Sequence, residues 1–291
     1  GDNSGISVSL SSDGSKLAIG ARYAFGSAYD SGDVRVFKFS PSESTFTGTG
    51  NWSESARWSD GVPGSTTNVT INGYCTVTAA ASCNNLTIKD GGSLMGQGNL
   101  TLSGSATVER YISGYAGGDA GWHFISSPIT DLNIASSDFL PGSGVDDLYE
   151  WDEASGMWLN YYDTFDDVTF DEGKGYLIAY SSDGTKSFSG IINASTEIES
   201  LSYNAGAGDG WNLLGNPFPS AIDATAITFT GSVNTGIYIV DPSNGSYMAH
   251  NGVFGHPALA DGHIPINQGF FVQATGAGAS VTMETADQVH S

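Results

Sequence analysis

The sequence has 291 residues, of which 31 are Asp or Glu and only 9 are Lys or Arg, a formal net charge of −22. Nine scattered basic residues form no patch that could displace counterions from a polyphosphate, which argues against nucleic acid and against anionic membrane surfaces. The 14 Phe, 13 Tyr and 6 Trp carry too much apolar surface for a disordered chain, and no apolar run approaches the roughly 18 residues that cross a bilayer.

Glycine is frequent (40 residues), Ser and Thr are abundant, and residues that favour surface helices are scarce. No stretch of ten residues places apolar side chains at helical spacing, so the expected fold class is all-β. The start, Gly1-Asp2-Asn3-Ser4, carries no charged-then-apolar leader and reads as a processed end or a fragment.

Residues 1–45 alternate in Ile6–Leu10, Lys16–Ala21 and Asp33–Phe39, with a turn at Ser12–Ser15, the pattern of half-buried strands. These forty or so residues resemble one repeat of integrin-type β-propellers, which implies a hairpin or blade-like segment. One blade cannot close a ring. Some relatives hold calcium between these strands, but Asp30 and Asp33 alone do not reproduce that loop.

Residues 46–115 carry short strands every seven to ten residues, including Asn68–Ile71, Leu86–Ile88 and Ala106–Ile112, with Gly or Asn between them. That spacing predicts either a small sandwich or, in preference, rungs of a β-solenoid. Cys75 and Cys83 stand eight residues apart here; they are expected either to close a small disulfide loop or to be two buried thiols.

Residues 116–291 contain an internal duplication. Gly121-Trp122 recurs as Gly210-Trp211, Pro128 as Pro217, Tyr149 as Tyr238, Asp152 as Asp241, Gly156 as Gly245 and Trp158 as Tyr247, every pair 89 residues apart. Lys174–Ile178 then matches Gln268–Val272 at an offset of 94. Copies over 116–203 and 204–291 are expected to form a pseudo-symmetric, sandwich-like region.

Among candidate functional residues, Trp151, Trp158, Tyr161 and Tyr162 are amphipathic platforms of the kind that stack on sugar rings, or else core anchors. Trp122 and Trp211, at equivalent strand starts followed by aliphatic residues, read as buried core. The acidic stretch Asp163, Asp166, Asp167, Asp171 and Glu172 would repel itself unless solvated or bridged by a cation, and calcium is the candidate ion. Asp152–Gly156 and Asp241–Gly245 read as hairpin turns rather than calcium loops. His250, His256 and His263 with Asp261 have spacings that match no zinc motif. No nucleophile elbow, phosphate-binding loop or metalloprotease motif is present, and no pair among the acids is singled out for catalysis.

Gly50-Asn51-Trp52-Ser53, Trp58-Ser59-Asp60-Gly61-Val62-Pro63, Cys83–Ile88, Val108–Ile112, Gly121–Pro128, Gly173–Tyr176 and Gly210–Pro219 together resemble large modular proteins exported by the type IX secretion system of gliding bacteria, over about residues 50–291. The resemblance implies an extracellular protein, bound to the cell surface or released, and supplies no catalytic residues. Such proteins usually end in a separate sorting domain, which the close at Gln288–Ser291 does not show, so removal at maturation or truncation is expected. The reading is a non-enzymatic extracellular module for adhesion or surface assembly, its partners a polysaccharide or other surface proteins, including copies of itself. The alternatives are a glycan-binding module of a polysaccharide-degrading protein, which would line a groove with aromatics, and an enzyme with two carboxylates facing across a cleft.

Overall fold

The computed structural model describes residues 3–11, 16–22, 33–38, 41–115, 117–142, 146–163, 165, 167–251, 256, 259 and 261–291. Among them the regular structure is all β, with only short 3-10 turns. The chain divides into two compact units, Gly1–Ser42 and Glu43–Ser291.

In the first unit β1 (Asn3–Leu10), β2 (Lys16–Arg22) and β3 (Asp33–Lys38) form an antiparallel meander. Its register aligns Leu10, Leu17 and Phe37 on one face and Ser9, Ala18 and Val36 on the other. Val8, Leu10, Val34, Val36 and Phe37 are exposed, as in a sheet too small to bury either face. The loop with Asp30 lies outside the described residues, whereas Asp33 begins β3.

The second unit opens with β4 (Ser42–Asn51), β5 (Thr67–Thr76), β6 (Ala81–Cys83), β7 (Leu86–Ile88), β8 (Ser93–Met95), β9 (Leu100–Leu102) and β10 (Ala106–Ile112). Parallel pairings β5–β7, β7–β10, β5–β8 and β6–β9 stack these strands as solenoid rungs. Val69, Leu86 and Ala106 line up through the rungs, as do Ile71, Ile88 and Val108, all in one buried core. An asparagine ladder holds the rung corners. Asn68 Oδ1 accepts from Asn84 Nδ2 at 2.8 Å and Asn85 Nδ2 at 3.2 Å, and Asn85 Oδ1 from Ser105 N at 3.0 Å.

Cys75 and Cys83 are separate buried thiols, which corrects the disulfide expectation. They belong to different stacks, Cys75 opposite Leu94 and Cys83 opposite Leu102, and each fills the rung interior as a small apolar side chain. Burial pushes both thiols up to about 12.

The remainder is built of β11 (His123–Ile125), β12 (Ile129–Thr130), β13 (Leu132–Asn133), β14 (Asp147–Asp152), β15 (Met157–Asn160), β16 (Thr169–Phe170), β17 (Tyr176–Ala179) and β18 (Gly184–Ile192). They are followed by β19 (Glu197–Ser200), β20 (Trp211–Gly215), β21 (Ala221–Asp223), β22 (Thr228–Thr230), β23 (Val233–Val240), β24 (Tyr247–His250), β25 (His263–Ile264), β26 (Gly269–Ala274), β27 (Ser280–Met283) and β28 (Gln288–Val289). The sheets β11-β17-β14-β15 and β20-β26-β23-β24 have the same strand order. Their registers also coincide: Phe124 faces Leu177 as Leu213 faces Phe271, and Trp151 faces Trp158 as Val240 faces Tyr247.

The strands flanking the copies also pair alike. β10 pairs antiparallel with β18, and β19 pairs antiparallel with β27 in the same place relative to the second four-stranded sheet. Because β10 pairs with β7 on one edge and β18 on the other, one sheet and one core run from the solenoid into the first copy.

The copies meet about a pseudo-twofold axis. The bridge Ile125–Gln268 is matched by Lys174–Leu214, and the bond from Ser126 N to Asn267 O (3.1 Å) by that from Gly215 N to Gly173 O (2.7 Å). Phe124, Leu213, Val240 and Phe271 form a small apolar core at the junction.

Candidate ligand-binding site

The site grows from two hairpin turns. Asp152 accepts from Ala154 N and Ser155 N at 3.0 and 3.2 Å, and Asp241 accepts from Ser243 N at 2.9 Å, each turn closing on a positive-φ glycine, Gly156 or Gly245. The side chains of Ser155 and Ser243 first, and these backbone bonds after them, hold the two aspartates below the ordinary carboxylate range. The first turn sets Trp151 and Trp158 side by side across β14 and β15, ring centroids 5.2 Å apart and edge to face. The second sets Tyr247 opposite Val240.

The pseudo-axis then brings the copies' aromatics together. Trp151, Trp158, Trp211, Tyr238, Tyr247 and Phe271 line a cavity of about 530 Å³, within the range typical of small-molecule sites. Trp151 Nε1 donates to Trp211 O at 2.7 Å and locks the two halves. Phe271 forms the floor, 5.6 Å from Trp151 edge to face and 6.1 Å from Trp211. Six aromatic rings thus line the space, and among the described residues no charged group joins them.

Four polar atoms in that lining are unspent. Among the described residues, Trp158 Nε1, Trp211 Nε1, Tyr238 Oη and Tyr247 Oη make no hydrogen bond. The side chains lining the cavity therefore combine flat apolar faces with N–H and O–H groups that are free to bond, suited to a neutral ligand with one apolar face and hydroxyls at its rim.

The start of β20 is fixed from the other copy. Glu153, 4% exposed, accepts from Asn204 N (2.6 Å) and Gly210 N (2.9 Å) on Oε1 and from Asn204 Nδ2 (2.7 Å) on Oε2. Burial works against its charge, but these donors outweigh it and hold the carboxyl below the ordinary value. Gly210, next to Trp211, has φ +77°, and a Cβ there would run into the Ala274 carbonyl oxygen.

Of the four candidate platforms, the structure brings Trp151 and Trp158 together and leaves Tyr161 and Tyr162 out. After β15 the chain turns on Asn160, whose Oδ1 accepts from Tyr162 N at 2.9 Å. Tyr161 packs on the first core beside Phe165, and exposed Tyr162 donates to Pro141 O. Trp122 and Trp211 are not core anchors but half-buried pocket walls, because each stands where its strand enters the sheet and the buried run begins one or two residues later. The sequence reading missed Trp211, Tyr238, Tyr247 and Phe271, although Tyr238 and Tyr247 are the 89-residue counterparts of Tyr149 and Trp158.

The acidic stretch does not assemble as a cation site among the described residues; Asp166 lies outside them. Asp167 meets Lys174 Nζ at 2.6 Å and accepts from Tyr176 Oη at 3.0 Å, while the same ammonium reaches the buried Glu150 at 2.7 Å. Glu172 accepts from Asp131 N at 2.9 Å, and Asp163 is exposed at the turn after β15. Asp171 is raised by burial and by Asp167 beside it. The charge that answers this stretch is a lysine of the chain itself. Nor do His250, His256, His263 and Asp261 form a metal cluster among the described residues.

Two further groups at the junction are shifted. His123, 5% exposed, is pushed down to about 4 by burial and then by Arg110; its Nε2 lies 3.1 Å from Ser113 O. Its counterpart Asn212 makes the matching bond to Ser202 O at 3.0 Å, so His123 serves as a neutral structural partner. Glu199 is pushed up to about 7 by burial, with Glu197, Asp171 and Glu172 adding to it.

No helix of the described residues is long and apolar enough to cross a membrane. Comparison with curated proteins and with solved structures gave no match. A family model, described as a domain of unknown function (DUF8693), matches residues 76–288, from the solenoid rungs to the end of the second copy, and the chain belongs to that family.

Proposed function

We propose that this protein is a non-catalytic glycan-binding module of an extracellular or cell-surface protein, and that the aromatic cavity between the two copies holds a neutral polysaccharide chain. The single observation behind the reading is the six-aromatic cavity with four unspent hydrogen-bonding atoms. Aromatic faces receive the C–H faces of sugar rings, and the indole N–H and phenol groups bond the hydroxyls at their edges. Concentration of aromatics in one groove favours glycan binding over a dispersed adhesive surface. Among the described residues the lining contains no carboxylate, imidazole or thiol to act as acid, base or nucleophile, which favours holding over cleaving. A net charge of −22 and the absence of Lys or Arg among the described residues of the lining favour neutral glycans over anionic ones.

The test is isothermal titration and tryptophan fluorescence with cello-, xylo-, laminari- and chito-oligosaccharides, with oligogalacturonate as the anionic control. Saturable binding of at least one neutral series, lost in Trp158→Ala and Trp211→Ala, is expected. Absence of binding to every neutral series at millimolar sugar, or full affinity in both variants, overturns the reading.

A further inference from the structure

The pseudo-twofold axis that builds the cavity implies a second one. Trp158 and Tyr247 are counterparts across the axis, and both line the first cavity. The same two side chains also line a smaller cavity of about 270 Å³, together with Trp122, Phe124, Leu177, Val240 and Asp119. Three of its four further hydrophobic walls are counterparts of walls already described, Trp122 of Trp211, Leu177 of Phe271 and Val240 of Trp151; the fourth, Phe124, belongs to the junction core. The ring pairing repeats too. Trp122 stands 6.0 Å from Tyr149 as Trp211 stands 5.1 Å from Tyr238.

The two cavities share walls and therefore adjoin, but they are unequal. Leu177 and Val240 stand where the first has Phe271 and Trp151, and the second is lined by four aromatic side chains, Trp122, Phe124, Trp158 and Tyr247, against six in the first. It also carries Asp119, an exposed carboxylate able to accept from hydroxyls and unfavourable to an anion.

We infer that the second cavity is a weaker subsite of the same groove, so that the protein binds an extended neutral glycan across both cavities, with Trp158 and Tyr247 between them and Trp122 as the outer platform. The inference rests on the glycan-binding reading. A short oligosaccharide fills the first cavity alone, while a longer chain engages Trp122 as well. By analogy with base stacking on aromatic side chains, one more stacked ring should be worth roughly fivefold to a hundredfold in affinity.

The experiment measures affinity against chain length, from disaccharide to octasaccharide, in whichever neutral series the native protein binds. Three proteins are compared: the native chain, Trp122→Ala and Asp119→Trp. The last changes an exposed rim position and fills the cavity without removing a core side chain. The native protein should gain at least fivefold over that length range, and both variants should lose the gain while keeping short-chain affinity. If Trp122→Ala fails to fold, Asp119→Trp decides alone. Affinity independent of chain length in the native protein, or a full gain retained in a folded variant, overturns the second subsite and leaves the first intact. Absence of binding at every length overturns the glycan reading and the subsite with it.

Discussion

Replacing Glu153 by Gln tests how the two copies are held together. Its carboxylate lies on the turn of the first copy, and all three donors it receives belong to the second: Asn204 N, Asn204 Nδ2 and Gly210 N. An amide is isosteric but has one accepting oxygen. Whichever way it turns, its NH2 faces either the Asn204 amide or the two backbone N–H groups, and a buried donor left unpaired costs about 1–3 kcal/mol. Loss of charge assistance to the surviving bonds adds to this, giving about 3 kcal/mol in total. For a unit of this size that lowers the melting temperature by roughly 6–12 °C. The matching donor on the other side of the axis, Gly121 N, goes to the backbone carbonyl of Pro242 at 2.7 Å, so no side-chain change there has the same effect. Asp241→Asn, at an exposed turn, is the control and should stay within about 1 kcal/mol of native. Thermal unfolding by circular dichroism reads both. The pH dependence follows from the lowered carboxyl: its stabilising contribution is present above the ordinary glutamate value and is lost as pH falls through the lowered one. A Glu153→Gln protein that melts with the native chain would refute the reasoning.

The other predictions concern groups away from the pocket. Glu199, raised to about 7, contributes stability at pH below the ordinary glutamate value and loses it as pH rises through 7, so Glu199→Gln should stabilise the protein by about 2–3 kcal/mol at pH 8 and leave it unchanged near pH 4.5, as urea titrations at the two pH values would show. His123, lowered to about 4, costs stability as pH falls from 6.5 toward 4; His123→Asn, which copies Asn212, should flatten that part of the stability profile. Cys75 and Cys83 should not react with a thiol reagent in the native protein and should both react in denaturant; a fast native reaction would contradict their burial.

The strand class and the duplication were legible because they rest on local signals. Alternation marks strands, and Gly-Trp, Asp and Gly recur at fixed turn positions. The pairings that flank the copies were not. β10 and β19 lack those marker residues, so their pairings with β18 and β27 could not be read from the sequence. Trp151 and Trp158 could be singled out as amphipathic platforms, but the walls facing them come from residues 211 to 271 and meet them only through the pseudo-axis. Gly210-Trp211 followed by Asn-Leu-Leu reads as core because sequence does not reveal that the strand's first residue stands at an open end of the sheet. The acidic run looked like a cation loop for a related reason: Lys174 and Tyr176, which answer Asp167, are read as the start of the next strand.

The aromatic cavity is the centre of the account, and the indole N–H signals of the six tryptophans report on it individually. In a ¹⁵N–¹H correlation spectrum recorded while a neutral oligosaccharide is added, Trp158 and Trp211 should shift and saturate together, and Trp122 should join them with longer chains. Trp52 and Trp58, buried in the solenoid core, where Trp58 Nε1 donates to Trp52 O at 2.6 Å, should stay in place. Signals of Trp158 and Trp211 that stay fixed while another tryptophan moves would contradict the account, since the ligand would then be held elsewhere.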